Sequence, residues 1–407
     1  MIKTTWRSNL AAAVMACAVA ASAQAQDAAV EAAPPEAGPA EGSLAAALKP
    51  TFDALSNNGE GYDLGSAIFG PDSAYDIGGW LAAGYSSQST GLFNADDSVN
   101  LTQAWLFVTK SLDASDGFDW GFRVDGMFGS DGPDTQAFGG DFGDYDFTEG
   151  AIYNNKYGFA APQLYVELGY KDFSIKGGHF YTPVGYEVVT APDNFFYSHA
   201  LTMYFSEPFT HTGVVGTYSG IDGVSLFAGW TAGWDTGFTQ NMGGSSFLGG
   251  VSLEPVDWAK ITYTAMAGDM GWIGDGYNHS LVIDVAATDK LQYVFQSDYV
   301  NLDQKYDALL GDNPEYETIG VNQYLIYTVT DVVSVGGRAE WYRNNETDYY
   351  EVTAGVNFDL LPNLVLRPEV RYQFSPEAKD DPNDFLEDSI GVPFDQAAFG
   401  FDAILTF

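Results

Sequence analysis

Serine, histidine and aspartate side chains that could form a hydrolase triad lie close together in one segment. Ser198 and His199 are adjacent, Asp193 precedes them and His211 follows. A triad needs a nucleophile, a base and an acid that orients the base, and this segment offers all three residue types. Adjacency in sequence does not by itself form a triad. A hydrolase is therefore one hypothesis, which predicts that Ser198→Ala or His211→Ala abolishes activity without unfolding the chain.

Metal-binding motifs are not recognisable in the sequence, and we predict no cofactor. His179, His199, His211 and His279 form neither an HExxH motif nor pairs with carboxylates at metal spacing. Two groups of loop acids could hold Ca²⁺ or Mg²⁺, or could form a solvated acidic rim. Neither group matches the EF-hand template. The groups are Asp141, Asp144 and Asp146, and Asp380, Asp381 and Asp384.

The charge balance restricts the partners of the chain. Its 407 residues include 16 Lys and Arg against 55 Asp and Glu, a net charge of −39. Nucleic-acid binding needs clustered cations, so a nucleic-acid partner is excluded. Apolar residues make up 46% and aromatic residues 15% of the chain. This composition is not that of a disordered protein and favours one large folded unit.

The amino-terminal residues predict export. Residues 1–25 combine a basic start, an apolar run from Leu10 to Ala21 and an Ala23-Gln24-Ala25 cleavage motif, which is the pattern of a signal peptide. The one cysteine, Cys17, lies in this segment. The mature chain therefore has no thiol, which excludes disulfides and cysteine catalysis.

The exported part divides into a linker and a folded domain. Residues 26–60 are rich in Ala, Pro and Glu, a composition typical of a periplasmic linker, and Ser43 to Ser56 could form one short helix. Residues 61–407 form the predicted domain.

Alternating apolar and polar residues characterise the chain after residue 75. Leu164, Val166 and Leu168, for example, alternate with Tyr165 and Glu167. This period of two predicts strands that have one apolar and one polar face. Sixteen such segments follow one another. The predicted strands are 75–88, 98–111, 117–129, 161–170, 172–181, 211–219, 223–233, 246–255, 258–268, 277–287, 290–301, 317–330, 331–343, 348–359, 363–374 and 396–407.

The connections between these segments alternate between short turns and long loops, and only the connection from Asn344 to Thr347 departs from this rule. Short turns on one rim and long loops on the other are typical of a transmembrane antiparallel β-barrel, which closes because lipid cannot satisfy an open sheet edge. We therefore predict an all-β barrel of about 16 strands. A 12-stranded barrel and a soluble β-sandwich or propeller are the alternatives. Tryptophans near strand ends are expected to form interfacial girdles: Trp80, Trp105, Trp120, Trp230, Trp258, Trp272 and Trp341.

The carboxyl-terminal strand carries a second signal. Apolar residues occupy every second position and the chain ends in phenylalanine. This strand resembles the terminal signal by which the barrel-assembly machinery recognises outer-membrane proteins. The alternative is a soluble strand that ends in Phe by chance. The signal residues would be Phe399, Phe401, Leu405 and Phe407.

Residues 177–219 contain a distinctive set of motifs. They are Gly178, Tyr181, Pro183, Gly185-Tyr186-Glu187, Ala191-Pro192, Asn194-Phe195-Phe196-Tyr197-Ser198 and Phe209-Thr210-His211-Thr212-Gly213. With these elements the segment resembles the OmpL-like β-barrel porin family of Gram-negative outer membranes. The resemblance extends over residues 75–407 and leaves out 26–60. It implies a porin in the outer membrane, surrounded by lipid and lipopolysaccharide, and general porins of this kind are expected to form homotrimers.

The third long loop, residues 182–210, is expected to fold into the lumen and form a constriction, as in sixteen-stranded porins. Its aromatic residues could pack on the inner wall, and its acids would attract cations. The candidate constriction residues are Tyr186, Glu187, Asp193, Asn194, Phe196, Tyr197, Glu207 and His211.

Strand alternation also predicts side chains of the lumen wall. Glu340 and Glu369 are expected to face inward, together with the cations Arg123, Lys176, Arg338, Arg367 and Arg371. These cations could set a transverse field opposite the acidic loop, or they could pair with acids on neighbouring strands. The sequence leaves both interpretations open.

Together these patterns predict an outer-membrane porin. It would be a passive, water-filled channel for small polar or charged solutes, with a preference for cations. The rivals are a non-conducting barrel that serves as a surface receptor or adhesin, and the barrel-borne hydrolase.

Overall fold

The computed structural model describes residues 61–89, 91–93, 98–138, 156–239, 243–304, 315–378, 393 and 395–407. The predicted signal peptide, the linker and the two groups of loop acids lie outside these ranges. No helix within them is long and apolar enough to cross a membrane. Four short helices are described: α1 (Leu64–Phe69), α2 (Gly132–Thr135), a 3₁₀ helix (Ala191–Asp193) and α3 (Leu201–Ser206).

One antiparallel sheet contains all the named strands, and it closes on itself because β1 pairs with both β2 and β17. The strands are β1 (Tyr75–Ser86), β2 (Asn100–Lys110), β3 (Phe118–Gly129), β4 (Gly158–Ala160), β5 (Leu164–Tyr170), β6 (Phe173–Tyr181), β7 (Thr210–Ile221), β8 (Val224–Thr231), β9 (Ser245–Val256), β10 (Ala259–Asp269), β11 (Asp275–Thr288), β12 (Leu291–Asp303), β13 (Glu315–Thr330), β14 (Val333–Asn344), β15 (Thr347–Leu361), β16 (Leu364–Phe374) and β17 (Gln396–Thr406).

The prediction of a closed barrel with about sixteen strands is confirmed. β4 and β5 both pair with β3, end to end, so they count as one strand of the barrel wall. Pro162 lies in the break between them and has no N–H to donate to the ladder, which explains the interruption.

The outer face of the wall is apolar. Leu164, Val166 and Leu168 are each about 40–49% exposed, whereas Tyr165 and Glu167 point to the lumen side. A wide band of exposed apolar side chains is unfavourable in water and favourable in lipid. The band continues around the barrel with Leu106, Trp120, Val214, Trp230, Phe247, Tyr263, Tyr277, Val370 and Phe399.

Two tryptophans differ from the expected girdle positions. Trp80 and Trp105 are buried, and their rings stack with centroids 4.6 Å apart. Their indole N–H groups donate to Gln103 (2.9 Å) and Asp125 (3.0 Å). The residue type alone does not show whether a tryptophan faces the lumen or the lipid. A buried indole needs a hydrogen-bond acceptor for its N–H, and the lumen side provides one.

The rim with the short turns also receives the segment before β1. Asn363, in the turn before β16, accepts the backbone N–H of Tyr62 (2.7 Å) and donates to Tyr62 O and Thr406 O (both 3.0 Å). Asp63 caps α1 through the N–H of Ser66 (3.0 Å). These contacts attach the start of the domain to the last turn of the barrel.

Candidate functional site

Residues 182–209, here called the inner loop, join β6 to β7 and lie against the lumen side of the wall. Polar side chains from five strands donate hydrogen bonds to carbonyl oxygens of the loop. Such bonds replace the water that a loop backbone normally requires. The pairs are Gln103 with Val189 (2.8 Å), Thr264 with Pro183 (2.9 Å), Asn278 with Ser206 (2.6 Å), Tyr316 with Phe205 (2.8 Å) and Asn357 with Phe195 (3.0 Å).

Two wall carboxylates bind backbone N–H groups of the loop. Glu369 on β16 accepts the N–H groups of Tyr197 (2.9 Å) and Ser198 (3.1 Å). Glu340 on β14 accepts those of Leu201 (2.8 Å) and Thr202 (2.7 Å). The helix α3 has no side-chain cap of its own, so Glu340 takes over that role from another strand.

The guanidinium groups of Arg338 and Arg367 bind the loop from the wall. Arg338 donates to Glu187 (2.7 Å) and to Ser198 O (2.7 Å) on the loop, and pairs with Glu351 on β15 (3.1 Å). Arg367 pairs with Asp402 (2.6 Å) and donates to Ala191 O (2.8 Å) and Asn194 O.

Arg371 completes this set, since it donates to His199 O (2.6 Å) and lies 3.3 Å from Glu351. Arg338, Arg367 and Arg371 are each at most 3% exposed. The wall cations predicted on β14 and β16 therefore hold the inner loop in place.

The other two predicted cations remain with residues of their own part of the wall. Arg123 pairs with Asp125 (2.7 Å) and lies over the Phe107 ring (4.5 Å). Lys176 lies over the Tyr165 ring (4.5 Å). Both side chains are half-buried on the lumen side of β3 and β6.

Glycines on the inner wall leave space for side chains of the loop. A Cβ added at Gly320 would lie 2.2 Å from Thr202 Oγ1, and one at Gly336 would lie 2.4 Å from the Phe195 ring. Gly355 faces Phe196 in the same way. The ring of Tyr197 lies over Gly84 on β1 and Gly400 on β17, where added Cβ atoms would come within 2.7 and 3.1 Å.

The remaining predicted loop residues organise the loop itself. Asn194 accepts the N–H of Val188 (2.9 Å) and donates to its carbonyl (2.6 Å). The Tyr186 ring contacts Tyr324 at a centroid distance of 4.8 Å. Glu207 lies at the end of the loop, bonded to Gln296. His211 lies on β7, in agreement with the predicted strand 211–219, and not on the loop with the other candidate constriction residues.

The structure does not assemble the hydrolase triad. Ser198 Oγ accepts from Arg338 (3.1 Å), and His211 Nε2 is bonded to Thr182 Oγ1 (2.9 Å). Asp193 accepts from Thr190 (2.6 Å). The other candidate base, His199, has its Nδ1 atom 3.4 Å from Glu187. Among these described residues, no hydrogen bond joins Ser198 to either histidine, so the nucleophile-to-base contact that catalysis needs is not formed.

The sequence model of the family described as "Putative beta-barrel porin-2, OmpL-like" matches residues 74–407. The chain belongs to this porin family. No curated protein sequence matches the chain.

Solved porins share the fold. The porin is similar to the anion-selective porin from Comamonas acidovorans (TM-score 0.54, 11% identity, covering 82% of this chain and 99% of that one). It is also similar to the outer membrane channel DcaP of Acinetobacter baumannii, with a TM-score of 0.54 and 10% identity over 82% of this chain and 97% of that one. For the trimer form of OmpT from Vibrio cholerae, the TM-score is 0.50 and the identity 12%, over 82% of this chain and 99% of that one. At such identities the likeness concerns the fold alone.

Residues from the other long loops of the porin pack on the inner loop. Phe93 is buried against the rings of His199, Tyr204 and Phe209. Asp235, in the loop after β8, accepts the N–H groups of Phe209 (2.6 Å) and Thr210 (2.8 Å). Burial raises the pKa of Asp235 to about 7. The inner loop is therefore held from the wall and from the rim.

Several residues of this network were missed in the sequence. Alternation placed Glu340 and Glu369 on the lumen side but did not show that they bind the loop backbone. Gln103, Glu351 and Asp402 were not singled out, although the same alternation would place them inward. The contacts themselves join residues more than 130 positions apart, which no local pattern reveals.

Acid is expected to loosen the inner loop of this porin at Glu187, which lies outside the strands. Burial alone would raise the pKa of Glu187, but Arg338 and His199 lower it from 4.5 to about 2. A lowered pKa means that the charged form stabilises the loop above pH 4.5. This stabilisation, about 3 kcal/mol, is lost as the pH falls towards 2. Pepsin cleavage within the inner loop should therefore increase over that range.

The control for this prediction is Glu187→Gln, which removes the titrating group. Cleavage of that variant should follow only the pH dependence of pepsin itself, measured on an unfolded substrate. A wild-type porin whose loop cleavage also follows the enzyme alone would contradict the role of Glu187.

Proposed function

We propose that this porin is a passive, water-filled diffusion channel for small polar or charged solutes, in which the inner loop forms a cation-preferring constriction. The observation that carries the proposal is the attachment of the loop to the lumen side of β1, β2 and β10 to β17. A loop fixed there reduces the open cross-section of the barrel, so its charges control which solutes pass.

The charges around the loop support a cation preference. The network contains seven carboxyl groups and three guanidinium groups, so acids exceed bases even if one carboxyl is protonated. A constriction with excess acid lowers the energy of a cation and raises that of an anion. The acids are Glu187, Glu207, Asp298, Glu340, Glu351, Glu369 and Asp402, and the bases are Arg338, Arg367 and Arg371.

The test is the reversal potential of the refolded full-length protein in a planar bilayer under an approximately tenfold KCl gradient. We expect stable openings and a reversal potential of the sign given by K⁺ permeation. Glu369→Gln should shift the potential towards zero, whereas Glu254→Gln, on the exposed short-turn rim, should not. An anion-selective potential would overturn the cation preference and assign control to Arg123 and Lys176.

A non-conducting surface receptor is the second candidate. It is favoured by the packing of Phe93 and Asp235 on the inner loop, which adds attachments from the long-loop rim to those from the wall. A folded barrel that never conducts in the same experiment would exclude the channel and support this alternative.

The proposed setting is the outer membrane, in contact with lipid and lipopolysaccharide. Phe399, Phe401, Leu405 and Phe407 would be read by the barrel-assembly machinery during insertion. We also propose a homotrimer, an assembly that crosslinking in mild detergent would detect as a band at three times the monomer mass.

A further inference from the structure

A cluster of oxygen-bearing side chains lies where the inner loop rejoins the wall. Ser280 on β11 is directly opposite Asp298 on β12, and Gln296 on β12 is opposite Asn322 on β13. Glu207 of the inner loop contacts this patch through Gln296. We call these five residues the oxygen cluster. Each of them is at most 2% exposed.

The negative charge of the cluster has no basic partner. The side-chain amide of Gln296 donates to both Glu207 and Asp298, so the two carboxylates share one neutral donor. Within the described residues, neither carboxylate has a salt bridge. Arg338, on β14, is committed to Glu187 and Glu351. Two buried carboxylates in this arrangement require a proton or a cation between them.

The same cluster contains oxygen atoms that make no hydrogen bond. They are Asp298 Oδ1, Ser280 Oγ and Asn322 Oδ1, together with Oδ1 of the neighbouring Asn278, and the Nδ2 atom of Asn322 likewise makes no hydrogen bond. Buried polar atoms are nearly always satisfied, so several unsatisfied oxygens around one charged point indicate a missing positive group. A shared proton would satisfy the two carboxylates and leave the hydroxyl and amide oxygens unpaired.

The donor set is that of a hard cation. It consists of carboxylate, amide and hydroxyl oxygens, without sulfur or imidazole nitrogen, which is the preference of Ca²⁺ and Mg²⁺. Ca²⁺ tolerates irregular geometry and mixed neutral and charged oxygens, whereas Mg²⁺ demands an octahedron and retains water.

We propose that Glu207, Asp298, Ser280 and Asn322 form a Ca²⁺ site that fastens the end of the inner loop to β11, β12 and β13. This site differs from an acid-rich metal cluster. No group of three or more His, Cys, Asp or Glu side chains suited to a metal occurs among the described residues, and here neutral oxygens supply half of the ligands. The proposal does not depend on ion selectivity or on conduction.

The test is calorimetric titration of Ca²⁺ into the refolded full-length protein in detergent at pH 8, after EDTA treatment and removal of the chelator. We expect one site per chain that binds at least tenfold more tightly than the surface acids. Asp298→Asn should lose this site, and Asn322→Leu should weaken it at least tenfold. Glu167→Gln, a lumen carboxylate on β5, should keep it.

Heat-modifiable migration in gels establishes that each variant is folded, and Asn322→Leu remains informative if Asp298→Asn does not fold. Equal tight binding by wild type and Asp298→Asn would overturn the proposal by placing the ion elsewhere. A wild-type protein with only weak surface binding at pH 8 would also overturn it, because a proton would then be what neutralises the pair.

Discussion

Replacing Arg338 by methionine will release the inner loop and raise the single-channel conductance several-fold. Arg338 is 1% exposed and joins Glu187 and Ser198 on the loop to Glu351 on the wall. Removing one side of a buried ion pair leaves uncompensated carboxylates, at a cost of about 3–5 kcal/mol. The barrel ladder is untouched, so the cost falls on the attachment of the loop. The measurement is conductance in planar bilayers.

Arg343→Met is the matched control for this prediction. Arg343 lies on the same strand and pairs with Asp348 at 3.1 Å, but its side chain is 39% exposed. Exposed ion pairs contribute little, about 0–1 kcal/mol, so conductance should remain at the wild-type value. If Arg338→Met and Arg343→Met conduct alike, the Arg338 network does not hold the constriction.

A disulfide between positions 202 and 320 will reverse the effect of Arg338→Met. A Cβ placed at Gly320 lies 2.9 Å from Thr202 Cβ, so a small shift reaches the disulfide spacing of about 3.8 Å. In the triple variant Thr202→Cys, Gly320→Cys, Arg338→Met, oxidation ties the loop to β13. We expect wild-type conductance when oxidised and the raised conductance after reduction. The only natural cysteine is Cys17, in the predicted signal peptide, so no other thiol competes.

The control is the same triple variant with Thr202 restored, in which no crosslink forms and redox conditions should not change conductance. A crosslinked protein that still conducts at the raised level would show that the pore widens away from α3. The part of the loop that detaches would then be the part around Tyr197.

The barrel was predictable because its determinants are local. A strand of a transmembrane barrel must alternate apolar outward side chains with polar inward ones. Leu164, Val166 and Leu168 therefore indicated the outer face without any knowledge of the neighbouring strands. On β16, the alternation likewise gave the inward direction of Arg367, Glu369 and Arg371. The lengths of the connections then indicated closure, and the family match over residues 74–407 agrees with that interpretation.

The contacts of the inner loop were not predictable, because they depend on which inward residues meet after closure. Whether Arg338 faces water or Glu187 cannot be read from alternation, which specifies a face and not a partner. Gly320 and Gly336 looked like ordinary strand glycines, yet they provide space for Thr202 and Phe195. Trp80 and Trp105 fit a girdle by position, and only their indole partners place them inside.

The site of Tyr197 has a consequence for the order of folding. Its ring rests on Gly84 from the first strand and on Gly400 from the last, and these strands become neighbours only when the barrel closes. The resting place of the ring is therefore created by the final pairing event. A barrel still open at this seam lacks the surface on which the Tyr197 ring rests, so this attachment of the inner loop forms only when the first and last strands join.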